Sequence, residues 1–196
     1  MHIEVDNIIM KIFQVTVSKE KWKRMEKVQI RLAEQKDAVN MLEIQRAVLS
    51  EEQYLLSTIE EFNQSVEGQK AWIQSKIDNE RETILVAEIE NIVVGWLVFQ
   101  SSNRKRLSHT GSFGMMIDST FRGKGIGRAL LQELLNWAEQ NRYIEKVSLG
   151  VFSTNINAIS LYKKMGFIEE GRKIGEVKLN DNEYIDDVLM YKNLKN

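Results

Sequence analysis

The sequence contains no cysteine and no proline. Without cysteine it can form no disulfide, thiolate nucleophile or cysteine-ligated metal site, and only His2 and His109 could offer imidazole ligands. We therefore expect a protein without a metal. Without proline, only glycines and clusters of Asn, Asp and Ser mark the ends of helices and strands, so element boundaries are poorly defined.

An excess of charge of one sign and a long apolar run are also missing. Lys and Arg total 27 against 28 Asp and Glu, which gives a formal net charge of -1. This balance offers no general attraction for nucleic acid or for an anionic membrane. The apolar run Ile8–Phe13 contains Lys11, is too short to cross a membrane and does not resemble a signal peptide. We expect a cytoplasmic protein with a small-molecule partner. The oligomeric state stays open, and a homodimer is one of the alternatives.

The 196 residues, 43% of them hydrophobic, suit one ordinary domain with a sizeable core. We assign residues 28–196 to this domain and residues 1–27 to an N-terminal extension of unknown role. Patterns in the first half predict a strand over Val28–Leu32 and helices over Asp37–Leu49 and Ser65–Ile77, with a loop or short helix over Ser50–Gln64.

Strand-like runs and one strong helix follow. Three runs predict an antiparallel meander: Thr83–Glu88, Ile92–Phe99 and Gly111–Ile117. An amphipathic helix then precedes the β-branched run Val147–Val151, so strand, helix and strand form a crossover unit. A terminal hairpin is predicted from a strand near Lys173–Leu179, a turn at 180–182 and a strand at Tyr184–Tyr191. The pattern indicates a mixed sheet flanked by helices.

A glycine-rich segment leads from a predicted strand directly into a predicted helix. Gly123, Gly125 and Gly127 stand where we expect the backbone to turn tightly. Without Cβ atoms they allow close approach, and unpaired amides at the positive end of the helix favour a phosphate ester. Three cations lie among them: Arg122, Lys124 and Arg128. The segment predicts a pyrophosphate site.

Other interpretations of this segment fit less well. A nucleotide P-loop ends in Gly-Lys-Ser/Thr, but Lys124 is followed by Gly125, so no hydroxyl is placed for magnesium. A dinucleotide fingerprint needs a third glycine three positions after the second, and Ala129 and Leu130 give the wrong continuation whether counting starts at Gly123 or Gly125. A flexible turn without a ligand is the remaining alternative.

A second motif lies downstream, over Asn155–Phe167. Ala158, Leu161, Tyr162 and Met165 fall on one helical stripe, and Gly166 stands in the position of a C-cap. Together the two motifs resemble the GCN5-related N-acetyltransferase (GNAT) superfamily. Its cofactor loop is matched by Arg122, Gly125 and Gly127, and its later motif by Asn155, Ala158, Leu161, Tyr162, Gly166 and Phe167. The resemblance is specific over Gly111–Phe167.

The resemblance implies an α/β fold of the GNAT type, with a mixed, mostly antiparallel sheet of about six or seven strands that is splayed near the cofactor. It also implies acetyl-CoA as co-substrate and no metal. The backbone of Met115, Met116 and Ile117 would meet the pantetheine arm, and the loop would hold the pyrophosphate. Its residues are Arg122, Gly123, Lys124, Gly125, Ile126, Gly127 and Arg128. Asn155 would contact the cofactor near its thiol, and Tyr162 would lie beside the sulfur. From the pattern alone, Asn155 could simply start the helix and Tyr162 could be a core aromatic.

The implied reaction is direct attack of a primary amine of a small molecule or peptide on the thioester. The phenol of Tyr162 would act as general acid on the thiolate, and the amide of Met116 or Ile117 would polarise the carbonyl. The general base stays open. The strand before the loop offers Ser112 and Asp118 instead of a glutamate, and three further residues are in reserve: Glu88, His109 and Asp187.

The segment between the first two helices usually borders the acceptor site in this family. Here it contains five glutamates, which would attract a cationic amine or form a solvated acidic face. They are Glu51, Glu52, Glu60, Glu61 and Glu67. Two other functions stay open: a non-catalytic acyl-CoA-binding sensor or regulatory module, and a nicotinamide-dependent oxidoreductase, which the glycine spacing disfavours.

Overall fold

Apolar runs form the centre of a seven-stranded sheet in the computed structural model, which describes residues 28–195. The strands within this range are β1 (Gln29–Leu32), β2 (Thr83–Ile89), β3 (Ile92–Ser101), β4 (Thr110–Ile117), β5 (Lys146–Phe152), β6 (Ile168–Asn180) and β7 (Glu183–Asn193). The α-helices within it are α1 (Ala38–Leu49), α2 (Val66–Ile77), α3 (Ile126–Gln140) and α4 (Ile156–Lys164).

The strand order is β1-β2-β3-β4-β5-β7-β6. All neighbours are antiparallel except β4 and β5, which α3 connects as a parallel crossover pair. The parallel pairing joins Thr110–Ser112 to Lys146–Ser148 and stops there. Both strands continue beyond this point without pairing to each other, so the sheet is split. The expected α/β class, with a mixed and mostly antiparallel sheet, is confirmed.

Helices cover both faces of the central strands. In β3 seven consecutive residues, Val93–Phe99, are buried, as expected for a strand packed on two sides. On one face α3 contributes Leu130, Leu131 and Leu134 to a cluster that includes Phe99. On the other face α1 packs against the sheet, and the indole nitrogen of Trp96 donates a hydrogen bond to the carbonyl of Met41 at 3.3 Å.

Most predicted elements lie within a few residues of their expected bounds. Ser65 caps α2 by accepting from the amide of Gly68 at 3.0 Å. Residues 50–64, predicted as loop or short helix, are loop. The largest difference is β6, which begins at Ile168 instead of near Lys173. Its first half is charged, lies on the sheet edge and carries a bulge, so it lacks the alternation of a half-buried strand.

Two properties of the described residues bear on partners and cofactors. Within residues 28–195 no helix is both long and apolar enough to cross a membrane. In the same range no group of three or more His, Asp and Glu side chains is arranged to hold a metal ion. The proposed extension, residues 1–27, lies outside the described residues.

Two glycines of β4 make a test of the packing at the split. A Cβ on Gly111 would collide with the backbone oxygen of Gln100 and the ring of Phe99, whereas a Cβ on Gly114 would meet no heavy atom within 4 Å. We expect Gly111→Ala to lower the free energy of unfolding by about 1–3 kcal/mol in urea denaturation, because strand and ring must shift. Gly114→Ala, the matched control, should change it by less than about 0.5 kcal/mol. Equal effects of the two substitutions would contradict this packing.

Candidate active site

A cavity of about 570 Å³ opens on the α1 side of the sheet, where β4 and β5 separate. Its walls come from the end of α1, the loop residues 54–57, and strands β4, β5 and β7. The size is that of a small-molecule site. The lining residues are Gln45, Leu49, Tyr54, Leu55, Leu56, Ser57, Ser112, Met116, Ser148, Leu149, Gly150, Val151, Phe152, Glu170, Asp187 and Leu189.

The glycine-rich loop lies at the end of β4, beside this split. Gly123 and Gly125 have φ of 74° and 85°, in the left-handed region where residues with a Cβ are strained. No heavy atom lies within 4 Å of a Cβ placed on either residue. The backbone of the loop is therefore open to a ligand at both positions.

The backbone amides of this loop are free to bind that ligand. Gly125 caps α3 without a side-chain hydrogen bond. In the part of the chain that the structure describes, the backbone N–H groups of residues 123–128 donate no hydrogen bond. Consecutive free amides at a helix N-terminus suit a phosphate group. The residues present therefore fit the pyrophosphate that the sequence predicts.

Gly127 differs from the expectation, because it does not turn the chain. It lies inside α3 and permits close packing. A Cβ there would stand 3.3 Å from the side chains of Ile117 and Met115 and 3.4 Å from Leu161. Gly127 therefore lets the first turn of α3 approach β4 and α4 closely. The buried side chain of Ile126 anchors the same turn in the core, so only its backbone is available to a ligand.

The three cations of the loop are not equivalent. Lys124 extends over the ring of Phe121, 5.1 Å from its centroid, and Arg128 is exposed at the start of α3. Arg122 instead forms a bidentate ion pair with Glu51, with N–O distances of 2.6 and 2.8 Å. Its Nε also donates to the carbonyl of Ile117 at 3.0 Å. The guanidinium of Arg122 thus fastens the loop to the segment after α1.

The end of β4 offers backbone groups along one edge of the split. Met115, Met116 and Ile117 pair with β3 on one side, and no strand pairs with them on the other. Alternate backbone groups of this stretch therefore face the split, as an extended pantetheine arm would need. The side chain of Met116 also lines the cavity.

Tyr162 and Asn155 both belong to α4, and each has a structural role. The side-chain carbonyl oxygen of Asn155 accepts a hydrogen bond from the amide of Ala158 at 3.2 Å and so caps the helix. The side-chain NH₂ group of Asn155 takes no part in this cap. Tyr162 is 8% exposed, and its ring centroid lies 5.6 Å from that of Phe113. Burial raises the pKa of Tyr162 to about 12, so the phenol is protonated at neutral pH. Tyr162 is not among the residues that line the cavity.

The structure separates the five candidates for the general base. Glu88 is bound to Arg31 at 2.5 Å, and Asp118 caps a short turn by accepting from the amide of Thr120 at 2.8 Å. His109 is exposed and does not line the cavity. Only Ser112 and Asp187 lie at the cavity wall.

Several cavity residues were not singled out in the sequence. Glu170 lies in the charged half of β6, and Ser148 lies in the β-branched run that indicated only a buried strand. One signal was present: a glycine inside a strand often marks a close approach. A Cβ on Gly150 would stand 2.8 Å from Oδ1 of Asp187, so this glycine makes room for the carboxylate.

The acidic segment after α1 divides into two parts. Glu51 forms the ion pair with Arg122 that is described above. The other four glutamates are exposed and do not line the cavity, which favours a solvated acidic face over an acidic binding site. They are Glu52, Glu60, Glu61 and Glu67.

The split sheet, the open glycine loop and the adjoining cavity can be compared with known proteins. A model described as the acetyltransferase (GNAT) family matches residues 48–167, more than half of the chain. The chain belongs to the GNAT acetyltransferase family. The L-amino acid N-acetyltransferase AaaT of Escherichia coli is 34% identical over 119 residues, which is 61% of this chain and 73% of that protein.

Solved structures of GNAT proteins share the fold. A GNAT acetyltransferase from Streptococcus pneumoniae superimposes with a TM-score of 0.81 at 25% identity, over 85% of this chain and 99% of its own. A phosphinothricin acetyltransferase from Sinorhizobium meliloti, solved in complex with AcCoA, superimposes with a TM-score of 0.75 at 21% identity, over 86% and 89% of the two chains.

The unequal surroundings of the loop cations predict unequal effects on acetyl-CoA binding. Lys124→Ala and Arg128→Ala should each weaken it by about 10-fold at low salt, because each removes a free cation beside the pyrophosphate. Arg122→Ala should weaken acetyl-CoA binding by only about 2- to 3-fold, because the guanidinium of Arg122 is already paired with Glu51. Calorimetric titration of the three variants measures this. A larger loss in Arg122→Ala than in the other two would mean that the pair with Glu51 opens for the cofactor.

The buried phenol predicts a pH dependence of stability. The pKa of Tyr162 is raised from 10.0 to about 12 in the folded chain, so its stabilising contribution is complete below pH 10 and is lost as the pH rises toward 12. Between about pH 9 and pH 11, the wild type should lose about 1 kcal/mol of unfolding free energy relative to Tyr162→Phe. Urea denaturation of both proteins across this range is the measurement. Parallel curves would show that Tyr162 titrates normally.

Proposed function

We propose that this GNAT chain transfers an acetyl group from acetyl-CoA to the primary amine of a small molecule or peptide by direct attack. The observation that supports this most is the position of two sites at one split in the sheet. The open amides of residues 123–128 lie at the end of β4, and a cavity of about 570 Å³ lies between β4 and β5. An acyl donor and an acceptor can meet where the strands separate.

Acetyl-CoA would be held mainly by backbone groups. The free amides of residues 123–128 would bind its pyrophosphate, with Lys124 and Arg128 close by. The unpaired edge of β4 at Met115–Ile117 would bind the pantetheine arm. The NH₂ group of Asn155, which the helix cap does not use, would contact it near the thiol. When bound, the cofactor supplies the activated acetyl thioester.

The reaction requires no covalent bond to the protein. The amine nitrogen attacks the thioester carbonyl, the carbon–sulfur bond breaks, and the products are an amide and free coenzyme A. The amine loses one proton, and the departing thiolate gains one. A backbone amide of Met116 or Ile117 would stabilise the oxyanion, because this edge of β4 has no strand partner.

Tyr162 would supply the proton to sulfur. Its phenol is protonated at neutral pH, with a pKa of about 12. An ordinary thiol has a pKa of about 8.5, but the burial that raises the pKa of the phenol acts in the same direction on a thiol beside it. The gap between the two pKa values is therefore smaller than the ordinary pKa of a thiol would suggest, which favours proton transfer from the phenol to the thiolate.

This role predicts that Tyr162→Phe lowers kcat by about 100-fold, because the substitution removes only the hydroxyl. The ring should keep its packing against Phe113 and Phe167, and the dissociation constant of acetyl-CoA should stay within about 2-fold. Release of free coenzyme A measures kcat, and calorimetry measures binding. The matched control is Tyr184→Phe, since Tyr184 is 58% exposed and lies outside the cavity.

The position of Tyr162 inside an aromatic cluster also favours a second candidate, a non-catalytic module that binds acyl-CoA. The two functions differ in turnover. A panel of alkylamines, polyamines, amino acids and peptide N-termini, assayed by coenzyme A release, separates them. Turnover above the rate of thioester hydrolysis with any member supports the transferase. Acetyl-CoA binding with no turnover for any of them supports the binding module.

A further inference from the structure

The cavity between β4 and β5 has a distinct chemical character. Its walls are mostly apolar, with two aromatic rings, from Tyr54 and Phe152. Among the lining residues of the described range there is no lysine, arginine or histidine, and the charged ones are Glu170 and Asp187. A bound molecule would therefore meet apolar surface and carboxylate, and no cation.

The two carboxylates are not equally available. Glu170 forms an ion pair with Lys146 at 2.6 Å, and its side chain is 46% exposed. Its charge is thus balanced and solvated. Asp187 is more buried, with a side chain that is 15% exposed. Its nearest cation is Lys173 at 3.7 Å, too far for a hydrogen bond, and Lys173 also pairs with Glu176 at 3.2 Å.

The fold places the carboxylate of Asp187 against the floor of the cavity. Asp187 on β7 pairs in register with Phe152 on β5, at the end where the sheet is split. Its Oδ1 lies 2.8 Å from the position that a Cβ on Gly150 would take, so any other residue there would crowd the carboxylate. Across residues 28–195 this carboxylate has an ion pair with Lys173 at 3.7 Å and no shorter hydrogen bond. A weakly paired carboxylate that is only partly solvated gains a hydrogen bond when a ligand donates one.

From this geometry we infer that Asp187 determines acceptor specificity: it binds the ammonium group of an alkylamine or arylalkylamine that carries no carboxylate. This inference rests on the proposed acetyltransferase function. The apolar walls and the rings of Tyr54 and Phe152 accept the carbon skeleton, and the ammonium pairs with Asp187 and then releases a proton to solvent before its nitrogen attacks the thioester. An amino acid would place a second carboxylate near Asp187, where the nearest cation, Lys173, already pairs with Asp187 and Glu176. The acceptor class therefore differs from that of the L-amino acid relative.

Two pairs of amines test the inference on the full-length protein with acetyl-CoA. Each pair differs only in one carboxylate: 2-phenylethylamine with L-phenylalanine, and pentylamine with L-norleucine. We expect kcat/KM for the free amine to exceed that for the amino acid by at least about 100-fold in each pair. Equal or greater activity on the amino acids contradicts the inference, and so does activity confined to spermidine or to peptide N-termini.

The substitution Asp187→Asn keeps the shape of the side chain and removes its charge. We expect kcat/KM for 2-phenylethylamine to fall by at least about 30-fold, mainly through KM, because an ammonium loses its counter-charge. The preference for 2-phenylethylamine over L-phenylalanine should fall by about 10-fold, since the repulsion between Asp187 and the carboxylate of the amino acid is also lost. The kcat/KM for a fluorinated ethylamine that is neutral near pH 7 should fall little in this variant. A merely structural role would instead lower all three activities together.

Asp186→Asn is the matched control, because Asp186 is adjacent in sequence and does not line the cavity. Its carboxylate accepts from the amide of Gly175 at 3.0 Å and pairs with Arg172 at 3.4 Å. We expect this variant to keep the wild-type preference between the paired amines. An equal change in both variants would contradict a specific role for Asp187.

A direct titration with acetyl-CoA separates failure of the inference from failure of the proposed function. A protein that binds acetyl-CoA and acetylates other amines, but shows no preference within the pairs, keeps the function and overturns the inference. A protein that does not bind acetyl-CoA overturns both.

Discussion

Parallel pairing between β4 and β5 stops after three residue pairs, and the rest of the site depends on that limit. Beyond Ser112 and Ser148 each strand keeps its antiparallel partner on the far side, so the two halves of the sheet stay intact while the middle opens. The backbone of β4 is then unpaired along one edge. On the α1 side of the sheet, this opening lies at the bottom of the cavity that Asp187 lines.

Three glycines adapt the neighbourhood of the split to different tasks. Gly125 turns the chain into α3 with a left-handed conformation and leaves the first amides of the helix free. Gly127, in the first turn of the same helix, lets α3 lie close against β4. Gly150, on β5 at the other side of the split, makes room for the carboxylate of Asp187. Each lacks a Cβ for a separate steric reason.

The ion pair between Arg122 and Glu51 joins the glycine-rich loop to the segment that forms one wall of the cavity. Glu51 stands at the start of the segment that contributes Tyr54 and Leu56 to the cavity. The pair is partly exposed, so it contributes little to stability by itself. Its consequence is geometric, because it ties the glycine-rich loop to the segment that lines the cavity.

The sequence predicted the parts of the site that are local in the chain. The loop from Arg122 to Arg128 and the helix after Asn155 each combine turn chemistry and helix capping within a few residues. The parts that depend on contacts between distant segments were not predictable in this way. Glu51 meets Arg122 across 71 positions, and Asp187 reaches the cavity only through the register of β5 and β7. The acidic segment suggested a binding site, but within the described residues the carboxylates that line the cavity are Glu170 and Asp187.

A single molecule can test whether the cofactor loop and the cavity form one continuous site. In this molecule an acetyl bridge joins the sulfur of coenzyme A to the nitrogen of 2-phenylethylamine. If the split holds donor and acceptor together, calorimetry should show binding at least about 100-fold tighter than that of coenzyme A, because the second site is engaged without a further loss of translational freedom. Binding no tighter than that of coenzyme A would contradict the account.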